Sequence, residues 1–340
     1  MILYNEDQDL SLAPYGILIP IRSSKTTKTF EALHSHPVLG PIVERWHRRP
    51  ETGLLTKADL LRVHDPQYVE RLFSEGLEQE LMKTFELVDE KGHYHRYAPD
   101  RAELPLSRLF ERILDTASGT WQCCRLALDH GFCFFFGGGM HHAHYSQGKG
   151  FCLINDIVVA LRKLQSERNI KTAWVIDVDA HKGDGTAALT SGDDSIRTLS
   201  LHMARGWPLD EPEYDEQGRL NPSFVLSDID VPVEQGEEDH YLEKLQAGLD
   251  ELDAFARPDL ALVVSGADPF ELDELESARE LKLTLEQLLE RDKLIYRFLK
   301  ERGLSRAYVM AGGYGSETWR VYARFLQWAL LDGNGPNRSR

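Results

Sequence analysis

Cysteine is scarce in this chain: Cys123, Cys124, Cys133 and Cys152 are the only four among 340 residues. That is too few for a disulfide framework, and none are spaced as a zinc knuckle, so reduced thiols are expected. Long apolar runs are missing as well. None approaches the ~20 residues needed to cross a bilayer. The stretch from Met1 to Asp7 has neither the basic start nor the apolar centre of a signal peptide. Positive charge is in deficit: 39 Lys and Arg stand against 55 Asp and Glu, a net of −16. Such a chain repels phosphate backbones, which argues against a nucleic-acid partner and leaves small cations or basic peptides. Repeats and long linkers are absent. The expectation is a cytoplasmic protein with no membrane partner. Residues 1–332 are expected to form a single domain and 333–340 a disordered tail.

What is present is a globular balance, 42% apolar and 28% charged, in a chain long enough to bury a core without staples. Helical spacing runs over 107–129, 154–167 and about 316–331. Thr284 to Gln287 reads as a capping box opening a helix to Glu301, with Gly303 just beyond. Four apolar runs read as buried strands: Cys133–Phe136, Ala173–Val178, Leu260–Val264 and Ala307–Met310. Their alternation with helices predicts an α/β fold with a parallel sheet. The segment 210–239 carries eleven acids and one base, Arg219, and reads as a solvated loop with a strand near 224–231.

Each strand is followed at once by glycine or reactive polar residues: GGGMHH, DVDAHKGDG, SGAD and AGGY. In open α/β sheets ligands bind beyond the carboxyl ends of the strands, so this chemistry gathers on one edge. Alternate residues of an extended chain share a face, which lets Asp177, Asp179 and His181 project together. Two carboxylates and an imidazole suit a divalent metal. Asp268 could supply a further ligand, although alone it serves a helix or turn cap equally well. His141 and His142 follow Gly137 to Gly139, and Asp177 and Asp184 are spare carboxylates able to orient a histidine base. Tyr314, after two glycines, could donate to a developing oxyanion or pack at a turn. A Lewis acid, a supported base and an oxyanion donor are the equipment of metal-assisted amide hydrolysis. No serine-elbow motif, nucleophilic cysteine motif or phosphate loop competes with this reading.

With these pieces in place the sequence resembles the histone deacetylase family of zinc-dependent acyl-lysine amidohydrolases. The resemblance is carried by LRVHDPQYV (61–69), GGGMHHA (137–143), GKGFCLIND (148–156), DVDAHKGDG (177–185), SLH (200–202), SGAD (265–268) and AGGY (311–314). The style of these motifs is closest to class IV and bacterial members. The resemblance implies a single-domain arginase/deacetylase-type parallel sheet with helices on both faces. It implies Asp179, His181 and Asp268 as zinc ligands, with ferrous iron as the alternative metal. His142 would be the general base and acid, oriented by Asp184. His141, paired with Asp177, would be an electrostatic helper, and Tyr314 would polarise the acyl carbonyl. Phe151 and Trp207 would wall the acyl-lysine tunnel beside Gly150. Asp177, Ser200 and Leu201 would contribute to a potassium site. Arg22 is placed as an internal-channel arginine, and Asp100, in the loop 93–103, as a rim residue holding substrate backbone. Lys182 stands where animal class I enzymes carry a second histidine.

The resemblance also bears on the substrate. Polyamine deacetylases of this family carry an acidic gatekeeper at the position of Leu275, which favours acyl-lysine proteins or peptides here. The segment Leu272 to Glu274 departs from the family pattern, and a register shift of one would make Glu274 the gatekeeper of an acetylpolyamine or other acylated small amine. A binuclear ureohydrolase of the arginase type would need a second bridging carboxylate, which Gly266 to Asp268 lacks.

Overall fold

The computed structural model describes residues 1–7, 11–89 and 91–333. The tail expected from 333 onward therefore lies, after Gly333, outside the described residues. The chain builds one parallel sheet from β1 (Ile2–Leu3), β2 (His47–Arg48), β3 (Phe132–Phe135), β4 (Ala173–Asp177), β5 (Ile196–Met203), β6 (Ile229–Val233), β7 (Leu260–Ser265) and β8 (Ser305–Met310). Their spatial order is β2-β1-β3-β8-β7-β4-β5-β6, and every pairing is parallel.

Successive strand residues point to opposite layers. Trp174 and Ile176 of β4 enter one core with Phe134, Leu199, Val263 and Tyr308. Ala173 and Val175 enter the other with Cys133, Ile196, Leu262 and Val309. Helices Ser24–His34, Tyr241–Leu252, Leu285–Glu301 and Trp319–Gly333 contribute to the first core. Helices Leu109–His130 and Asp156–Ser166 contribute to the second. Burial on both faces is why the central strands read as continuous apolar runs rather than alternating ones. The capping box of Thr284 and Gln287 is present at the helix start it predicts. A third apolar cluster joins Leu12 to Ile19 with Leu60, Leu109 and Leu153, and partly buried Phe151, Met140 and Tyr314 pack against it.

Two differences from the sequence reading have local causes. The strand expected near 224–231 starts at Ile229, because Asn221 caps the Ser223 amide at 3.1 Å and turns Pro222–Phe224 into a short 3-10 helix. β5 is not among the apolar runs of the sequence, because Arg197, Thr198, Ser200 and His202 interrupt it. Among the described residues no helix is long and apolar enough to cross a membrane.

Candidate metal centre and active site

The carboxyl ends of β4, β7 and β8 converge on one buried cluster. Asp179 and His181 leave the end of β4 and Asp268 the end of β7, and each offers a ligand atom within 4.8 Å of the others. Their orientation is fixed by backbone. Asp179 Oδ2 accepts from the Gly312 amide at 2.9 Å, and Asp268 Oδ1 accepts from the Ala180 amide at 3.1 Å. Gly312 has to be glycine: a Cβ there would lie 2.5 Å from Asp179 Oδ2 and 2.7 Å from the Asp268 carboxyl carbon. Burial and the Asp179 charge push the Asp268 carboxyl up, as expected when two carboxylates share a dry site. A divalent cation relieves that repulsion, so the donor set fits one. His181 Nε2 lies 3.1 Å from Ser277 Oγ, which leaves Nδ1 on the carboxylate side, 2.9 Å from Asp268 Oδ2.

The tandem histidines sit beside this cluster, each backed by a carboxylate. His141 Nδ1 lies 2.7 Å from Asp177 Oδ2, and His142 Nδ1 lies 2.7 Å from Asp184 Oδ1. The two differ in charge preference. Burial opposes charge on His141, but Asp177 and Asp179 outweigh it and push that imidazole up to about 9. Burial and the neighbouring His141 push His142 down to about 3, so it is neutral and able to accept a proton. Burial also works against the Asp184 charge, yet His142 and His144 hold that carboxyl well below the usual range.

Asp184 has partners that the sequence reading did not foresee. Its Oδ2 lies 3.1 Å from His144 Nε2 and accepts from Ser223 Oγ at 2.7 Å. The loop bearing the histidines is braced by Asp156, which accepts from the Gly139 and Met140 amides at 3.1 and 2.6 Å. Asn155 Nδ2 reaches the His141 and Ala143 carbonyls, both at 3.4 Å.

Two cavities of about 160 Å³ each meet at His142, Gly150, Phe151, His181 and Tyr314, so His181 of the buried cluster faces both and Asp179 faces the inner one. The outer one is a mouth walled by Phe151 and Trp207. The Trp207 ring stands edge-on to His142 with centroids 4.5 Å apart, and the Phe151 ring edge-on to Tyr314 at 6.4 Å. Gly150 (φ +55°) makes the gap: a Cβ there would lie 2.2 Å from Trp207 and 2.8 Å from His142. Burial pushes the Tyr314 phenol upward, so it stays protonated and remains a hydrogen-bond donor.

Leu275 lines the mouth. Glu274 does not belong to that lining; it accepts from Arg22 at 2.6 Å and from the Ser316 amide at 3.0 Å. Ser200 is the register neighbour of Asp177 on β5, followed by Leu201, and Ser200 Oγ accepts from the Gly183 amide at 3.3 Å. The Lys182 ammonium turns to Asp230 at 3.3 Å.

One placement needs correction. Arg22 precedes helix Ser24–His34 and reaches outward to Glu274 rather than into a channel. The inner cavity carries instead Lys25, whose ammonium donates to the Ala311 carbonyl at 2.7 Å; burial lowers it to about 8 despite Asp273, Asp268 and Asp179 nearby. Asp100 sits exposed in the turn Pro99–Arg101. The mouth takes its charges from Glu86, Arg96 and Glu276, with the Arg96 guanidinium 5.6 Å from the Phe151 ring centre. His144, two residues past the tandem histidines, could have been found from the sequence. Ser223, Ser277 and Lys25 carry no such local signal.

Residues 19–330 match the family model described as the histone deacetylase domain. Similar proteins include histone deacetylase 2 of Arabidopsis thaliana, 26% identical over 326 residues, covering 96% of this chain and 77% of the plant protein. The acetoin utilization protein AcuC of Staphylococcus aureus is 30% identical over 315 residues, covering 90% of this chain and 74% of that one. The crystal structure of an HDAC homologue from Aquifex aeolicus superposes with a TM-score of 0.69 at 20% identity, covering 98% of this chain and 83% of that one. At that identity the superposition speaks for the fold alone.

Proposed function

The chain belongs to the histone deacetylase family of hydrolases, and from that premise we propose that it is a metal-dependent lysine deacylase acting on acylated proteins or peptides. The observation that carries the reading is a coincidence of place. Of the buried cluster Asp179, His181 and Asp268, His181 lines both cavities and Asp179 the inner one, beside histidines that are each backed by a carboxylate.

Asp179, His181 and Asp268 would hold the ion, which we take to be zinc, with ferrous iron as the alternative. When bound, it supplies a Lewis acid that polarises the amide carbonyl and acidifies a water. His142, with Nδ1 committed to Asp184, presents Nε2 to take the proton from the attacking water and return it to the leaving amine. His141, held charged by Asp177, lowers the basicity of its neighbour and adds positive potential near the developing negative charge. Tyr314 donates a hydrogen bond from its phenol to the oxyanion. Phe151 and Trp207 admit a slim alkyl stem and exclude water around it. Asp177, Ser200 and Leu201 remain the proposed potassium site.

Leu275 in the mouth, with Glu274 tied to Arg22, supports peptides over acetylpolyamines. We further propose one catalytic domain over 1–332 and a cytoplasmic location, without nucleic-acid or membrane partners.

The test is kcat/KM of zinc-loaded protein on acetyl- and longer acyl-lysine peptides beside acetylated putrescine, cadaverine and spermidine. A clear preference for peptides is expected, and a preference for the amines would reassign the substrate. His142→Ala and Tyr314→Phe should each lower kcat by roughly 10²–10⁴-fold with metal still bound. Near-wild-type turnover in either removes that residue from the mechanism.

A further inference from the structure

We propose that Arg291 and Tyr322, which line neither cavity, set the geometry of the metal centre from behind the sheet as positioning residues. The inference rests on the reading of Asp179, His181 and Asp268 as metal ligands. Arg291 comes from helix Leu285–Glu301 and Tyr322 from helix Trp319–Gly333, and both side chains are fully buried.

The strand ends explain the need. The ladder between β4 and β7 stops at the pair Asp177 and Val264. Just past it the chain turns out to present Asp179 and Asp268, and the carbonyls of Val178 and Gly266 need partners away from solvent. Arg291 supplies them: its Nη1 donates to Val178 O at 3.1 Å and to Gly266 O at 2.8 Å. Val178 immediately precedes Asp179, and Gly266 stands two residues before Asp268. One nitrogen thereby fixes the spacing between the two segments that carry the carboxylates.

Tyr322 does the same one strand over. Its hydroxyl lies 3.1 Å from Ser265 O and 2.8 Å from Gly312 O, joining the end of β7 to the turn after β8. Gly312 is the residue whose amide holds Asp179 Oδ2, so the phenol braces a direct support of the cluster.

A buried ion pair is a poor device for stability alone, since apolar residues of similar volume usually serve as well. Arg291 is paired with Asp292 at 2.9 Å, both wholly buried. What the guanidinium adds is a rigid planar fork that spans two carbonyls while keeping a further nitrogen on its counter-ion. A lysine ammonium cannot reproduce that geometry.

The test measures zinc affinity of the full chain by competition with a chromophoric chelator, together with thermal unfolding of the metal-free protein. Arg291→Lys and Tyr322→Phe should each weaken zinc binding by about tenfold or more. In zinc-saturated Arg291→Lys, kcat should fall with KM unchanged. Leu299→Ala, a buried residue on the same helix, should lower the unfolding temperature without changing zinc affinity. Zinc affinity within about twofold of wild type in folded Arg291→Lys or Tyr322→Phe overturns the role of that residue. Equal weakening in Leu299→Ala overturns the proposal as a whole. Should Arg291→Lys not fold, Arg291→Met with Asp292→Leu takes its place, with the same expectation and the same overturning result. A wild-type protein that binds no zinc would instead remove the metal-site reading beneath the proposal.

Discussion

A buried imidazole can accept a hydrogen bond at one nitrogen only while it is neutral. His64 is in that position: 1% exposed, it has Nδ1 at 2.9 Å from the His144 carbonyl, while Nε2 accepts the Asn155 amide at 3.1 Å. It thus ties the segment before helix Pro66–Leu72 to His144, which partners Asp184, and to Asn155, which braces the histidine loop. Burial pushes it down from 6.5 to about 4. Between those values the unfolded chain binds a proton that the folded chain refuses, so stability rises with pH. The contribution is fully present above pH 6.5 and is lost as pH falls toward 4. It is worth roughly 3 kcal/mol across that window. Urea unfolding measured from pH 7.5 down to about 4.5 should show this decline in the wild type. His64→Gln, which keeps a donor and an acceptor but does not titrate, should be less stable at neutral pH and flatter with pH by one proton. Parallel pH profiles would mean that His64 carries no such linkage.

At the scale of elements, the short helix Pro222–Phe224 matters beyond its size. It buries Ser223 completely and places the hydroxyl on Asp184, while Lys149 donates to that same oxygen at 2.8 Å. The acidic segment is therefore moored to the carboxylate that orients His142. Ser223→Ala frees one lone pair of Asp184 and should lower kcat on the order of tenfold, with zinc content and KM little changed. Unchanged kcat would show that His144 alone steadies the carboxylate. Ser223 also marks where the sequence stops being legible. The central strands, the long helices and the alternate spacing of Asp177, Asp179 and His181 are local patterns, and each is read from neighbouring residues. Tandem histidines with carboxylates to spare point to a base before any fold is known. Ser223, Ser277, Lys25 and Arg291 act across distances in sequence that no period encodes, on partners that only the folded sheet ends bring to them. Arg22 departs from its expected place for the same reason: it lies in a connecting segment, where position is set by a distant partner, Glu274.

At the scale of the whole molecule, charge is distributed so as to act before contact. The chain carries a net of −16, and exposed residues 210–217, close in sequence to Trp207 of the mouth, hold five acids and no base. Glu276, which lines the mouth, is largely exposed as well, paired with Arg279 at 2.9 Å. Exposed charges act through water over about 10 Å at 0.1 M salt and are screened beyond that, whereas the buried histidines and carboxylates of the site are screened far less. Substrate encounter should therefore depend on salt while the chemical step does not. For an acyl-lysine peptide flanked by Lys or Arg, kcat/KM should fall on the order of three- to tenfold between about 0.02 and 0.3 M salt, with kcat constant. A peptide with neutral flanks should respond weakly. Reversing two exposed acids, Glu213→Lys with Glu216→Lys, should flatten the response to the basic peptide and leave the neutral one unchanged. Equal salt dependence for both peptides would place selection inside the tunnel, at Phe151, Trp207 and Leu275, rather than in the field around it.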